Sequence, residues 1–317
     1  MTKRRVAITM GDPAGIGPEI IVKAFAQEDI YKICNPIVIG DRSIIKEVIK
    51  KIGIDFDPDN IELLNLNEIP NPAKLIKGAP SEESGRASFS YIRKAVELYR
   101  LGIIQAIVTC PITKIALRMA GLPWLGHTDM LAELTDTDDY AMAFYCEQLK
   151  VILTTIHVPL KDVPHLVKKE KVIKTIFFAK KACDMLQIEN PRIAVCGLNP
   201  HAGEEGIMGR EEIDEIKPAI KEAKALGINV SGPYPADTIF KKALDGEFDI
   251  VVAMYHDQAL APFKLIAFQK GVNFTVGLPF IRTSPDHGTA YDIAWQGKAD
   301  PTSLIEAIKL ASRMVIV

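Results

Sequence analysis

The fold is decided by the stretch FDIVVAMYHDQ, residues 248–258. Its first seven residues form a mostly apolar run of the length that predicts a buried strand. The run ends at four polar or amphipathic side chains, Tyr255, His256, Asp257 and Gln258. Side chains at the carboxyl ends of strands form the ligand edge of open α/β sheets. The stretch therefore predicts one strand of such a sheet and one wall of a functional site.

The same alternation of strand and helix extends along most of the chain. Apolar runs at 5–9, 36–40 and 103–109 predict strands. Helices are expected from Pro18 onward, because Pro suits the first helical position, and over 87–99. Strands that alternate with helices favour an α/β architecture with largely parallel sheets.

Composition excludes several function classes. The chain has 317 residues, enough for two domains, and 48% of them are apolar. Its formal net charge of −2 gives no basic field for nucleic acid or an anionic membrane. No apolar run approaches the roughly 18 residues of a membrane span. Five scattered cysteines, without a C-x-x-C pair, predict small buried hydrophobic side chains in a reduced, cytoplasmic setting.

A glycine-rich loop, GDPAGIGPE, follows the first strand at 11–19. Ile20 stands where the Rossmann fingerprint needs a third small residue, and Pro18-Glu19 replaces the Lys-Ser/Thr of a P-loop. Two interpretations stay open: a tight strand-to-helix turn, or backbone contact with a ligand.

Histidines follow three of the apolar runs: His157 after 151–156, His201 after 192–198 and His256 after 248–254. Imidazoles at equivalent strand ends could converge on one metal ion. Three nitrogen ligands with open positions suit zinc or another divalent first-row metal. The alternative is that each ring only bonds a loop carbonyl group. His127 is expected in a glycine-led loop, Gly126-His127-Thr128, and for it function and structure are equally open.

Five motifs together resemble the 4-hydroxythreonine-4-phosphate dehydrogenase family over essentially the whole chain. They are GDPAGIGPE (11–19), GHT (126–128), NPHAGE (199–204), YHDQ (255–258) and GLPFIRTS (277–284). The resemblance implies NAD(P)-dependent oxidation of 4-phosphohydroxy-L-threonine in pyridoxal 5'-phosphate biosynthesis. The β-keto acid formed would decarboxylate to 3-amino-2-oxopropyl phosphate.

The resemblance also implies site residues and an oligomeric state. One divalent metal per subunit (zinc, magnesium, cobalt or manganese) would be held by His157, His201 and His256. The substrate would be bound by His127, Thr128, Lys264, Asn273 and Arg282. Asp257 and Lys264 are the candidates for the general base. The family forms a homodimer whose active sites lie near the subunit interface.

A more distant resemblance concerns the cofactor. HGTAYDIA (287–294) and GKADP (297–301) are similar to the cofactor loop of isocitrate and isopropylmalate dehydrogenases. This implies NAD or NADP bound at His287, Gly288 and Asp292. It further implies two α/β/α domains with the active site in the cleft between them. The domains would be 1–118 with 272–317, which carries the cofactor loop, and 119–271, which binds the metal and forms the dimer.

Lys264, Asn273 and Arg282 lie nine residues apart in a segment rich in Gly and Pro, which predicts loops. Two cations and an amide suit an acid that carries both a carboxylate and a phosphate, and Arg can bind either group bidentately.

Other functions remain open at this point. Relatives within the family could oxidise D-erythronate or D-threonate 4-phosphate, or a dihydrodiol. A metal-dependent hydrolase could use the same three histidines. A non-catalytic metal- or ligand-binding protein is disfavoured by the density of ionisable residues between Lys264 and His287.

Overall fold

The computed structural model describes residues 3–317. The chain divides into two compact units. The first unit contains the described residues up to Asp138 together with Leu278–Arg313, and the second contains Asp139–Gly277 with Met314–Val317. The domain boundaries expected from the sequence, 118/119 and 271/272, stay a prediction.

The regular elements alternate along the chain. The strands are β1 (Arg5–Thr9), β2 (Asn35–Gly40), β3 (Leu63–Asn65), β4 (Ala106–Thr109), β5 (Ala141–Tyr145), β6 (Lys150–Leu153), β7 (Ile193–Cys196), β8 (Val230–Tyr234), β9 (Ile250–Ala253), β10 (Val272–Val276) and β11 (Ile281–Pro285). The helices are α1 (Gly17–Gln27), α2 (Ile30–Ile33), α3 (Arg42–Ile52), α4 (Glu82–Arg100), α5 (Lys114–Met119), α6 (His127–Leu134), α7 (Val163–Leu166), α8 (Lys169–Met185), α9 (Lys217–Ala225), α10 (Ala236–Leu244), α11 (His256–Ala267) and α12 (Thr302–Arg313).

The strands of the first unit pair in the order β3-β2-β1-β4-β11, and every one of these pairs is parallel. Three consecutive residues of β1, Val6, Ala7 and Ile8, are fully buried. Successive side chains of a strand point to opposite faces of the sheet, so both faces are covered. The helices α4 and α12 pack against β1.

The strands of the second unit pair in the order β10-β5-β6-β9-β7-β8. The β10–β5 and β5–β6 pairs are antiparallel, with Val276 opposite Ala141, and the other pairs are parallel. Phe263 of α11 and Phe240 of α10 join Val251 and Val151 in one apolar cluster. The predicted α/β architecture with mostly parallel sheets is confirmed.

The stretch 248–258 contains a central strand of the second unit. β9 lies between β6 and β7 and begins at Ile250, two residues later than the apolar run. Asp249 lies just before the strand, and its carboxylate accepts hydrogen bonds from the guanidinium group of Arg192, at 3.0 Å for both Nε and Nη2.

The prediction that Lys264, Asn273 and Arg282 lie on loops is wrong. They lie on α11, β10 and β11. Gly271 and Gly277 lie immediately before and after β10, so they mark its limits and do not interrupt it. The turn-forming residues of this segment therefore separate regular elements, and do not replace them.

Two expectations from composition can be examined in residues 3–317. None of the helices there combines the length and apolar character that crossing a bilayer requires. All five cysteines are free thiols and buried, which confirms their interpretation as small hydrophobic side chains.

Candidate active site

Arg282 is a buried cation in the first unit. It lies opposite Ile107 of β4 and is 3% exposed. Its Nη2 donates a 2.9 Å hydrogen bond to Oγ1 of Thr109, at the end of β4. Burial lowers the pKa of Arg282 to about 9, because removal from water penalises the charged guanidinium. An anion bound beside it would stabilise the charged form, so the position suits a carboxylate or a phosphate.

His127 lies beside this cation. Burial, and to a smaller extent the charge of Arg282, holds the pKa of His127 well below its usual value, so the ring is neutral at pH 7. The ring bonds the backbone of Cys110. Its Nε2 is shielded from solvent and has no hydrogen-bond partner within residues 3–317. A shielded ring nitrogen without a partner is suited to a hydrogen bond with a bound ligand.

The expectation that His127 lies in a loop is wrong by one residue. Gly126 has an extended backbone, with φ 178° and ψ −161°, and occupies the N-cap position, so His127 is the first residue of α6. Thr128 follows in the same turn and is 9% exposed. The local sequence did not indicate this start, because Gly caps a helix without a side-chain hydrogen bond.

Two further predicted substrate residues belong to the second unit. Asn273 is buried on β10, opposite Phe144 of β5. Lys264 is half-buried on α11. The meeting of Lys264 and Asn273 with His127, Thr128 and Arg282 on one ligand stays a prediction.

Two of the three predicted metal ligands lie close together in the second unit. His157 follows β6 after a short bend, and His256 is the first residue of α11, directly beyond β9. Because β6 and β9 are parallel neighbours, their carboxyl ends meet at one edge of the sheet. The two ring centroids are 5.6 Å apart.

Carboxylates orient two of the histidines. His201 Nδ1 lies 2.6 Å from Oε1 of Glu204, and His256 Nδ1 lies 2.6 Å from Oδ1 of Asp257. An ionised carboxylate only accepts hydrogen bonds, so Nδ1 carries the proton and Nε2 keeps its lone pair. Metal-binding histidines commonly show this arrangement.

The complete ligand set stays a prediction. No group of three or more His, Cys, Asp or Glu side chains in residues 3–317 is arranged to hold a metal ion. The structure therefore brings His157 and His256 together, and His201 lies on a separate short segment, Pro200–Gly206.

The glycine-rich loop at 11–19 forms the tight turn that was one of its two interpretations. Gly11 has φ +71°, and a side chain there would collide with the carbonyl oxygen of Pro111. Asp12 is fully buried and accepts hydrogen bonds from the backbone N–H of Ala14 at 2.8 Å and from Oγ of Ser84 at 3.2 Å. Ligand contact by this loop stays a prediction.

The glycine-rich loop also anchors the segment that resembles a cofactor loop. Tyr291 donates a hydrogen bond to Asp12, and the backbone N–H of Ala299 donates one to the buried carboxylate of Glu19 at 2.8 Å. Lys23 bonds the carbonyl oxygens of Gly297 and Ala299, both at 2.7 Å. These anchors were not predicted from the sequence. Their signal was the presence of two acidic residues in an otherwise apolar, glycine-rich stretch.

The predicted cofactor residues lie on this anchored segment of the first unit. His287 Nδ1 is 3.2 Å from the carbonyl oxygen of Gly288, and Asp292 is exposed. The backbone N–H of Ile16 donates a 3.0 Å hydrogen bond to the carbonyl oxygen of Thr289. The segment thus has a defined conformation, and its contact with a dinucleotide stays a prediction.

The chain is similar to known proteins over nearly its whole length. A family model described as "Pyridoxal phosphate biosynthetic protein PdxA" matches residues 32–311. A 4-hydroxythreonine-4-phosphate dehydrogenase of Desulforapulum autotrophicum is 46% identical over an alignment of 328 positions. The alignment covers 98% of this chain and 96% of that protein. The D-threonate 4-phosphate dehydrogenase of Pectobacterium atrosepticum is 41% identical and covers 98% of both chains.

A solved structure is similar over the same extent. The crystal structure of 4-hydroxythreonine-4-phosphate dehydrogenase from Klebsiella pneumoniae has a TM-score of 0.88 and 41% identity, and the match covers 98% of each chain. The family model spans most of this chain, and the named relatives match it nearly from end to end. The resemblance inferred from the five motifs is confirmed, and the chain belongs to the PdxA family.

Proposed function

We propose that this protein oxidises the secondary alcohol of 4-phosphohydroxy-L-threonine with NAD or NADP, in pyridoxal 5'-phosphate biosynthesis. NAD(P)+, when bound, would accept the hydride, and a base of this chain would take the hydroxyl proton. The resulting β-keto acid loses carbon dioxide to give 3-amino-2-oxopropyl phosphate. The observation that carries the proposal is the buried Arg282 beside the neutral His127, in a chain that belongs to a family with dehydrogenase members.

The substrate's anionic groups determine the roles of the first-unit residues. Arg282 binds an anionic oxygen of the substrate and regains the charge stabilisation that burial removes. His127 is neutral, so its Nε2 can form one directed hydrogen bond with the substrate without adding a second charge to the site. Thr128 supplies a hydroxyl group from the same helical turn. Lys264 and Asn273 complete the proposed contacts with the carboxylate and phosphate.

His157, His201 and His256 would hold one divalent metal per subunit. The chemistry of the three imidazoles suits such a group, since two of the rings are close and two are oriented through Nδ1 by carboxylates. Nitrogen ligands favour zinc or cobalt over magnesium and manganese, for which oxygen ligands are better suited. The ion, when bound, supplies Lewis acidity for the negative charge that develops on the substrate oxygen. We also propose a homodimer with its active sites near the subunit interface.

Lys264 is the better candidate for the general base. The Asp257 carboxylate bonds His256 Nδ1 and is 85% exposed, which suits it to orient the ring. Lys264 is half-buried and lies on the same helix as His256. Asp257 then keeps His256 in the tautomer with a lone pair on Nε2.

NAD or NADP is the proposed hydride acceptor, bound at His287, Gly288 and Asp292. These residues lie on the loop fixed by Asp12, Glu19 and Lys23, so the dinucleotide would meet a preorganised surface. Preorganisation reduces the entropy lost when a ligand binds.

The test is a substrate panel with the full-length protein, followed by the absorbance of reduced nicotinamide. The panel contains 4-phosphohydroxy-L-threonine, D-threonate 4-phosphate, D-erythronate 4-phosphate and the unphosphorylated acids, with each divalent metal in turn. We expect turnover that requires NAD(P)+, metal and the phosphate group. Turnover without NAD(P)+ would indicate a hydrolase. Equal rates without the phosphate would contradict the phospho-acid assignment and favour a dihydrodiol.

A second candidate substrate is D-threonate 4-phosphate, because a relative that is 41% identical is named for it. It shares the carboxylate, the secondary alcohol and the phosphate, so the same anion-binding residues would serve it. The two substrates differ in the group next to the carboxylate: an amine in one and a hydroxyl in the other. The ratio of their kcat/KM values decides between them.

A further inference from the structure

Glu212 is a buried carboxylate outside the set of residues proposed to contact ligands. It is 1% exposed and begins the π-helical turn Glu212–Ile216. Its Oε1 accepts hydrogen bonds from the backbone N–H groups of Leu198 and Asn199, both at 2.7 Å. Its Oε2 accepts a 2.9 Å bond from Nδ2 of Asn199. One side chain thus satisfies three donors at the point where the chain leaves β7.

The segment that follows these donors has an unusual backbone. His201, Ala202, Gly203, Glu204 and Glu205 have φ between 40° and 83°, in the left-handed region. Residues other than Gly rarely adopt this region, and successive residues do so only where the surroundings hold them. The run includes His201, one of the three proposed metal ligands.

Glu212 touches this run at a second point. At Gly203, where φ is +83°, a side-chain Cβ would lie only 2.6 Å from Glu212 Oε2. The carboxylate therefore contacts the segment before the left-handed run and again in its middle. Gly203 is the residue type that permits this close approach.

The turn that carries Glu212 is itself anchored. Arg210 pairs with Asp214 at 2.9 Å, and Ile216 is fully buried. Glu215 accepts a 2.8 Å hydrogen bond from the backbone N–H of Lys169 at the start of α8. The turn continues directly into α9. Single π-helical turns often occur at functional sites.

We propose that Glu212 is a positioning residue: it holds the loop 198–206 in the left-handed conformation in which His201 presents Nε2 to the metal. The inference rests on the proposed function in so far as His201 is a ligand. Glu204 orients the ring through Nδ1, and Glu212 fixes the backbone that carries both residues. Groups that orient a ligand typically change metal affinity by about 10- to 100-fold when they are replaced.

The test compares Glu212→Gln with wild type in the full-length, metal-free protein. Gln keeps the shape, but its amide N–H group would face Nδ2 of Asn199, so two donors oppose each other. Isothermal titration with Co²⁺ and Zn²⁺ should show at least about a tenfold loss of affinity. Hydrogen exchange should become faster at residues 198–206, and the dissociation constant for NAD(P)+ should change less than about twofold.

Glu215→Gln is the matched control. Glu215 is a carboxylate of the same helical turn, and it also accepts a backbone hydrogen bond, but from Lys169 and not from the His201 loop. Its replacement should leave metal affinity within about twofold of wild type. If Glu212→Gln fails to fold, Asn199→Ala removes the side-chain bonds from Nδ2 to Glu212 and Glu211 but keeps both backbone bonds to Glu212, and it should weaken metal binding in the same direction.

The outcomes separate the two proposals. If the wild-type protein binds metal and Glu212→Gln binds it with the same affinity, the positioning role is overturned and the metal site is not. An equal loss in Glu215→Gln also overturns it, because the effect would then be one of general stability. Wild type that binds none of the ions overturns the proposed metal site and the positioning role together.

Discussion

The phenol of Tyr291 donates a 2.7 Å hydrogen bond to Oδ2 of Asp12, a residue 279 positions earlier in the chain. Asp12 is fully buried, and burial raises the pKa of its carboxyl group, an effect that the bonds from Tyr291, Ala14 and Ser84 oppose. The bond links the glycine-rich loop to the segment that carries His287. The proposed cofactor site therefore depends on a contact between the two ends of the sequence.

Tyr291→Phe removes this one donor. We expect the KM for NAD(P)+ to rise several-fold, since the loop loses an anchor, whereas the KM for the acid should change less. Loss of a hydrogen bond to a charged group should lower the free energy of unfolding by about 1.5–3 kcal/mol. Steady-state kinetics and urea unfolding measure the two effects. His287→Ala, which alters the proposed contact itself, should raise the same KM.

Tyr99→Phe is the control for that experiment. Tyr99 also donates one 2.7 Å hydrogen bond, to the carbonyl oxygen of Pro279, away from the cofactor-like loop. Its replacement should leave the KM for NAD(P)+ unchanged. Equal cofactor KM values in Tyr291→Phe and wild type would place the dinucleotide elsewhere.

Arg282→Lys tests the anion site. Lys keeps the charge but cannot form two parallel hydrogen bonds to a carboxylate or phosphate. We expect kcat/KM for the phosphorylated acid to fall by at least about tenfold, which corresponds to a loss of about 1.4 kcal/mol. Arg192→Lys is the control, because Arg192 forms a similar bidentate pair with Asp249 at the start of β9. Equal effects of the two substitutions would rule out a specific role for Arg282.

His201→Ala tests the metal site. Loss of one of three ligands should abolish most metal binding and activity, but the circular dichroism spectrum should match wild type because the ring is 60% exposed. His165→Ala, in α7, serves as the control and should bind metal normally. Full activity of His201→Ala after removal of metal would eliminate the three-histidine site.

His127 gives a prediction about pH. Its folded-state pKa lies well below the ordinary value of 6.5, so between these two values the unfolded state binds a proton that the folded state excludes. The free energy of unfolding is therefore not reduced by His127 above pH 6.5. It falls as the pH drops below 6.5, because protonation of His127 stabilises the unfolded state. His127→Asn should reduce the slope of unfolding free energy against pH by up to about 1.4 kcal/mol per pH unit. Urea unfolding between pH 5 and 7.5 measures this slope, and parallel curves for the two proteins would contradict the prediction.

The sequence predicted the elements that depend on local pattern. The apolar run before His256 predicted β9, because a strand buried on both faces needs continuous apolar residues. Lys264, Asn273 and Arg282 were misplaced on loops, because Gly271, Gly277 and Pro279, which lie between α11, β10 and β11, gave a turn signal that was extended to the whole segment. Burial of Asn273 and Arg282 in strands is a property of the assembled sheet.

The site was predictable mainly in residue identity. Motifs named Arg282 and His127, but the low pKa of His127 arises from burial and from the nearby charge, which only the fold provides. Glu212 and Tyr291 were missed, because their partners are 13 or more residues away in sequence and share no motif spacing with them.

The pairing of β5 with β10 brings the two ends of the second unit side by side, since Ala141 lies opposite Val276. A segment whose entry and exit are neighbours can be inserted into a host fold, or circularly permuted, without distortion of the host. His157, His201 and His256 all belong to this segment. The three histidines therefore lie on one contiguous stretch of chain whose entry and exit are neighbours, so the proposed metal ligands can be exchanged as a single piece.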